Sequence, residues 1–275
     1  MTFAPYGSWK SPVTTDLIVA GSIGVSSPCF AGGIQYWAES RPQEGGRIVV
    51  VRRDADGSEH DLFAAPFNAR TRVHEYGGDA WLIHDGLVYF SNFADQQVHV
   101  AGDGEPRPLT HTEGLRFANG VVDARRNRII YVIEDHRAPG EAVNRIGAVD
   151  LVTGDVTMLC EGHDFYSSPA LDADAKRLAF IAWDHPNMPW DETLLYVADL
   201  DASGLAGEPV CIAGESEALQ QPRFAPNGNL VYISDRSGWW NLYEVDADGQ
   251  HRALCPMEAE FGVPLWAFGA STYDF

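Results

Sequence analysis

The sequence predicts an all-β protein, a β-propeller of four-stranded antiparallel blades, with about five blades and the first strand of a sixth. Three observations predict it. Short β-rich runs recur in groups of four, divided by tight polar turns. The groups repeat about every 47 residues, the spacing obtained when Pro28 and Pro264 are equivalent positions five copies apart, and this is a blade-like period. No long segment carries the 3.6-residue apolar periodicity that a helical repeat of similar length needs.

The first copy opens at Ser27-Pro-Cys-Phe30 and continues through residues 34–38 and 47–51, the turn Asp54-Ala-Asp-Gly57 and residues 60–63. The second and third start near Gly77-Gly78 and Asn119-Gly120, with second strands at 87–90 and 128–132. The fourth runs through 168–174, 177–182, 194–200 and 209–212. The fifth starts with 221–228, which ends in a Pro-Asn-Gly turn. It continues through 230–234, a turn at 235–239, 241–245, the turn Ala247-Asp-Gly249 and 252–254. Residues 263–268 repeat the start of a copy with almost nothing behind them. A lone inner strand exposes backbone donors and acceptors, so an unfinished propeller is expected. Truncation is the first explanation. A closing strand from residues 14–20, or self-association of two chains through the open blade edge, are the others.

The 275 residues are 45% hydrophobic, enough for one sizeable core or two small ones, and residues 1–275 are read as a single propeller domain. The start has no positive region followed by an apolar run, and no apolar stretch approaches the roughly 20 residues of a membrane helix. A soluble, cytoplasmic protein is expected. Cys29, Cys160, Cys211 and Cys255 lie far apart without a C-x-x-C pair, which reads as reduced, buried thiols. The formal charge is −20, from 39 acidic and 19 basic residues. Such a surface repels phosphate backbones and anionic membranes, so neither nucleic acid nor a membrane is an expected partner. Much of the acid sits in D-A-D-G, D-A-D-A and D-A-S-G turns, where Asp bonds its own backbone.

In a blade with strands a to d, the b–c loops and the d–a connections emerge on one face. Here those segments are long and chemically loaded: residues 134–141 and 183–192 among the b–c loops, 70–76 and 162–166 among the d–a connections. The c–d turns opposite are tight. The loaded face is therefore the one expected to meet a substrate or partner, with Glu75, His136, His185, Trp190 and Arg236 on its rim. Three acid–histidine neighbours stand there, Asp135-His136, His163-Asp164 and Asp184-His185. Adjacent loop residues seldom point the same way, so each reads as a local hydrogen bond or a solvated pair. His74, His136, His163 and His185 show no metal-ligand spacing, so no metal is assigned. There is no G-x-S-x-G and no phosphate loop, and Gly269-Ala-Ser-Thr-Tyr273 lacks the second glycine of a nucleophile elbow. No catalytic residue and no cofactor is assigned. Trp239 and Trp240 read first as packing residues and second as a ligand shelf, and Arg236 reads as a partner of Asp235 or Asp246.

Five stretches fall in order along nearly the whole chain: Y-G-S-W-K-S-P (6–12), R-V-H-E-Y-G-G (72–78), G-H-D-F-Y-S-S-P (162–169), A-W-D-H-P-N-M-P-W-D (182–191) and S-D-R-S-G-W-W-N-L-Y (234–243). Together they resemble the N-terminal propeller of prolyl oligopeptidase-family (S9) serine peptidases, in the bacterial acylaminoacyl-peptidase and dipeptidyl-aminopeptidase-like branch. The resemblance implies a C-terminal α/β-hydrolase domain with a Ser–Asp–His triad, beneath a propeller that excludes large folded proteins. This chain holds no triad position. Family members often hold a substrate's free amine with paired glutamates; Glu75 lies in a suitable loop, but no Glu-Glu pair is present. The expected function is the substrate-gating, substrate-selecting domain of a serine peptidase for short peptides, inactive without its hydrolase domain. A six-bladed metal-dependent lactonase-like hydrolase, with a central divalent ion held by Glu, Asn and Asp, is one alternative. A non-catalytic, TolB-like binding propeller is another.

Overall fold

The computed structural model describes residues 3–102 and 104–275. They form five four-stranded antiparallel sheets, each built from strands consecutive in sequence, and divide into two compact units, residues up to Phe67 and residues from Asn68 onward.

The first unit opens with a helix, α1 (Thr15–Val19), capped by Thr14, whose Oγ1 accepts the Leu17 N–H at 3.1 Å. The cap corrects the alternative in which residues 14–20 supply a closing strand: the Thr14 hydroxyl satisfies an amide that a strand would leave to a neighbour. One sheet follows, β1 (Gly24–Ala31), β2 (Ile34–Arg41), β3 (Arg47–Arg53) and β4 (Glu59–Asp61). Val49, Val50 and Val51 of β3 are fully buried, whereas Val25 and Phe30 of β1 are exposed.

The second unit holds four sheets. They are β5 (Trp81–His84), β6 (Leu87–Ser91), β7 (Val98–Ala101) and β8 (Arg107–Pro108); then β9 (Leu115–Asp123), β10 (Arg128–Asp135), β11 (Val143–Asp150) and β12 (Val156–Cys160). After them come β13 (Phe165–Leu171), β14 (Arg177–Trp183), β15 (Leu194–Asp199) and β16 (Val210–Ala213), and finally β17 (Leu219–Phe224), β18 (Leu230–Ser234), β19 (Asn241–Val245) and β20 (His251–Ala253). Strand β10 shows why they stack. Its run Ile-Ile-Tyr-Val-Ile is buried throughout, because successive side chains serve different cores. Ile130 and Val132 pack with Tyr166, Leu178 and Phe180 on one side. Ile129, Tyr131 and Ile133 pack with Tyr89, Val98 and Val149 on the other.

The sheets of this unit are also fastened by polar contacts. Asp79, Asn119, Ser168 and Gln221, one in or just before each inner strand, all have left-handed backbone (φ 42° to 54°). The Asn119 amide donates to Asp79 Oδ2 at 2.7 Å, and its Oδ1 accepts the Ser168 N–H at 2.6 Å, so three sheets are sewn together. At the opposite end of the strands, buried Asp123 accepts from Arg126 (2.9 Å) and Arg128 (2.8 Å). Both arginines reach on to the c–d turn of the next sheet, at the carbonyls of Asp201 and Gly204.

Residues 263–275 form no strand. The expected first strand at 265–268 shrinks to one bridge, Phe268 N–H to Gly77 O at 2.9 Å, because a strand needs a hydrogen-bonded neighbour along its length and Pro264 and Gly269 flank this piece. The four cysteines are free, but only Cys160 is buried; its thiol is pushed up to about 12 by desolvation. Cys211 is exposed and Cys29 and Cys255 half-buried, which corrects the expectation of uniformly buried thiols. Among the described residues no helix is long and apolar enough to cross a membrane.

Candidate substrate-facing rim

The b–c loops and d–a connections of the second unit carry all five expected rim residues. Glu75 sits in a turn with left-handed backbone at His74 (φ 51°) and Glu75 (φ 64°), closed by a 2.9 Å bond from Glu75 N–H to Arg72 O. Its carboxylate is exposed, with no ion-pair partner among the described residues. The next side chain, Tyr76, lies edge-on to Trp266 with centroids 5.6 Å apart, and Trp266 lies 4.5 Å from Trp190. Three aromatic rings thus gather at the residue that follows Glu75 in the chain, and Tyr76 and Trp266 are 66% and 55% exposed.

His136 and His185 are both held by carboxylates, though not by their sequence neighbours. His136 Nε2 lies 2.7 Å from Glu134 Oε2. Glu134, at the end of β10, also binds Arg116 at 3.1 Å and accepts the His74 N–H at 3.1 Å, so one buried carboxylate ties three segments. Asp135 turns instead to Arg137 and Arg145, and the Arg137 guanidinium leads in holding its carboxyl down at about 2. The other two acid–histidine neighbours pair crosswise. His163 Nδ1 meets Asp184 Oδ2 and His185 Nδ1 meets Asp164 Oδ2, each at 2.8 Å, clasping a d–a connection to a b–c loop. That corrects the reading of local pairs: facing loops bring i and i+21 closer than a loop brings i and i+1.

His163 Nε2 also lies 3.0 Å from the Tyr196 hydroxyl. An acid–histidine–hydroxyl chain invites comparison with an activated nucleophile, but burial pushes the Tyr196 phenol up, away from ionisation. His74 is walled by Phe165, Trp183 and Phe268, with ring centroids 4.9 to 5.5 Å away. Some of the residue remains exposed, but its Nε2 is shut from solvent without a hydrogen-bond partner. Burial pushes the imidazole down to about 4, with Glu134 and the Asn144 amide acting weakly the other way. His74, His136, His163 and His185 are thus directed to four different environments, and among the described residues no group of three His, Cys, Asp or Glu side chains is arranged to hold a metal.

Arg236 joins none of these contacts. It forks onto Glu217, Nε to Oε2 at 2.9 Å and Nη2 to Oε1 at 3.0 Å, and lies over Tyr243 with its carbon 4.6 Å from the ring centre. This corrects the expected pairing with Asp235 or Asp246; Asp235 instead accepts the Ala218 N–H at 2.7 Å. Glu217, 19 residues away in the preceding d–a connection, carried no signal that local sequence reasoning reads. The backbone of Trp240 is tied to the segment that follows the fifth sheet, its main-chain N–H donating to the Glu260 carboxylate at 2.7 Å and its carbonyl accepting the Phe261 N–H at 2.7 Å, while Trp239 stays 39% exposed.

Three comparisons bear on this arrangement. A puromycin hydrolase superimposes with a TM-score of 0.87 at 35% identity, over 98% of this chain and 44% of that one. A puromycin-hydrolyzing peptidase of Mycobacterium tuberculosis does so with a TM-score of 0.86 at 36% identity, over 98% and 44%. This chain therefore spans less than half the length of either. A gluconolactonase of Xanthomonas campestris matches with a TM-score of 0.55 at 15% identity, over 86% of this chain and 77% of its own, a likeness of fold alone. No family model and no curated protein sequence matches the chain.

Proposed function

This chain belongs with the β-propeller domains of the prolyl oligopeptidase-family peptidases represented by puromycin hydrolase, and from that premise we propose that it gates and selects short peptides for a serine-peptidase domain. The observation that carries the reading is the match itself: 98% of this chain superimposes on 44% of the relative at 35% identity. The five collinear stretches at 6–12, 72–78, 162–169, 182–191 and 234–243 together favour the acylaminoacyl-peptidase and dipeptidyl-aminopeptidase-like branch. The natural partner is then an α/β-hydrolase domain carrying the triad, and the chain alone is a single, cytoplasmic, catalytically silent propeller domain. Exposed apolar side chains in the first unit, including Tyr6, Trp9, Leu17 and Phe30, support such a partner, because apolar surface of this kind is stabilised by being covered.

On the rim, Glu75 takes the substrate's amine and the Tyr76–Trp266–Trp190 cluster takes an apolar side chain. His136 and His185 shape the surrounding loops, and Arg236 braces the fifth sheet. A lactonase-like reading has less support: Asp79 and Asn119, the inner-strand groups suited to a central ion, are bonded to each other and to Ser168.

The test is to mix this chain with the separately expressed hydrolase domain of a puromycin-hydrolysing relative. Cleavage of tripeptide arylamides by the mixture, none by the chain alone, and protection of a folded protein substrate are expected. Cleavage by the chain alone, or a hydrolase domain whose size discrimination is unchanged by it, overturns the proposal.

A further inference from the structure

The d–a connection ahead of β5 carries two arginines, Arg70 and Arg72. Its backbone is pinned to the loop between β6 and β7. Asn68 N–H donates to Asn92 Oδ1 at 3.2 Å, Arg70 N–H to Ser91 O at 3.0 Å, and Arg72 N–H to Gln96 Oε1 at 2.8 Å. From that frame both guanidinium groups lie over one ring, Phe93, at 4.8 Å for Arg70 and 4.4 Å for Arg72. The two charges are therefore no farther apart than the sum of those distances. Both side chains are exposed, and among the described residues neither has a carboxylate within ion-pair distance. The other arginines on this face do: Arg116, Arg137, Arg145 and Arg236 are each engaged by Glu or Asp.

Two unneutralised cations sharing one ring, in a chain of net charge −20, are a site of the opposite sign to their surroundings. A guanidinium over an aromatic face keeps its in-plane N–H donors for an acceptor, and the pinned backbone reduces the entropy lost on binding. Three residues on, Glu75 is exposed and unpaired as well. Although a turn joins its N–H to Arg72 O at 2.9 Å, the side chains of Arg72 and Glu75 do not pair with each other. One short loop thus offers a free cation pair and a free carboxylate, which suits a small zwitterion.

We infer that Arg70 and Arg72, stacked on Phe93, bind the C-terminal carboxylate of a short peptide, so that the rim favours free-acid peptides over blocked ones. The inference rests on the reading of this face as the peptide-facing one. It reaches beyond that reading by naming the end of the peptide that is recognised.

Trialanine and trialanine amide serve as probes, titrated calorimetrically into the full chain, into R70Q/R72Q, and into R107Q as an exposed-arginine control. The exposed side chains make folding of the variants expected, and unfolding midpoints verify it. The free acid should bind about tenfold tighter than the amide to the chain and to R107Q, and the ratio should fall to near one in R70Q/R72Q. Equal binding of acid and amide to the unsubstituted chain overturns the inference while leaving the peptide-facing reading intact. Failure of both probes to bind overturns it too, whereas the hydrolase-domain mixture tests the gating role separately. An unchanged ratio in R70Q/R72Q, with weakened association to the hydrolase domain, would assign the arginines to an acidic side chain of that domain and also overturn the inference.

Discussion

A histidine whose imidazole is held near pKa 4 by aromatic neighbours makes stability depend on pH. In the unfolded chain the same imidazole titrates near 6.5, so between these values the unfolded state binds the extra proton. The contribution is complete above pH 6.5, is lost as pH falls and is exhausted near 4; it amounts to about 3 kcal/mol. Unfolding free energies of the chain and of His74→Gln, compared at pH 7.5 and 4.5, should show a drop smaller by about 2 kcal/mol in the variant. Arg236 gives a different expectation. Removing it leaves Glu217, which is buried, with a charge answered by the Ser234 hydroxyl and the Gly214 N–H but by no cation, so Arg236→Ala should destabilise by about 2 kcal/mol while leaving peptide binding intact. For Glu75 the order reverses: Glu75→Gln should leave the unfolding midpoint in place and weaken binding of free-amine peptides about tenfold relative to N-acetylated ones. Residue types on the rim were legible in the sequence, because loops rich in His, Asp and Trp announce themselves. Their partners were not. Asp164 with His185, Asp184 with His163 and Glu217 with Arg236 are set by which loops face each other, and that is a property of stacked sheets.

Strands with two buried faces and turns closed by glycine explain why element boundaries followed the sequence closely. Leu230–Ser234 and Asn241–Val245 lie where the alternation and the Asp-Gly turns put them. Strand β10 runs three residues past its expected end, to Asp135, because Glu134 is charged and yet buried by its partners. The alternative strand at 14–20 and the strand at 265–268 failed for lack of a neighbour to pair with. Turns that look alike in sequence differ in what they touch. Gly249, φ 77°, has open space around it, whereas a Cβ on Gly154, φ 76°, would collide with the Leu109 carbonyl of the preceding sheet. Gly249→Ala should cost about 1 kcal/mol, from backbone strain alone. Gly154→Ala should cost at least about 3 kcal/mol, because backbone must move as well. Urea midpoints of the two variants check the contrast.

For the whole molecule the governing quantity is the charge of −20. Like charges repel across a compact body, and salt screens them with a Debye length of about 10 Å at 0.1 M. The melting temperature should therefore rise by several degrees between 10 and 150 mM sodium chloride, and a fall would show that specific ion pairs outweigh the net field. The family was legible at this scale because five collinear stretches span the chain; the work of the rim was not, because the sequence does not say which of its charges remain unanswered.

Asp123, Arg126 and Arg128 fasten one sheet to the Asp201–Gly204 turn of the next, at the strand ends remote from the rim. A change of sequence among the rim loops disturbs none of that fastening. Inheritance can then drift on one side of the molecule while the other conserves its assembly, and new appetites for substrate can arise by loop exchange without a new fold.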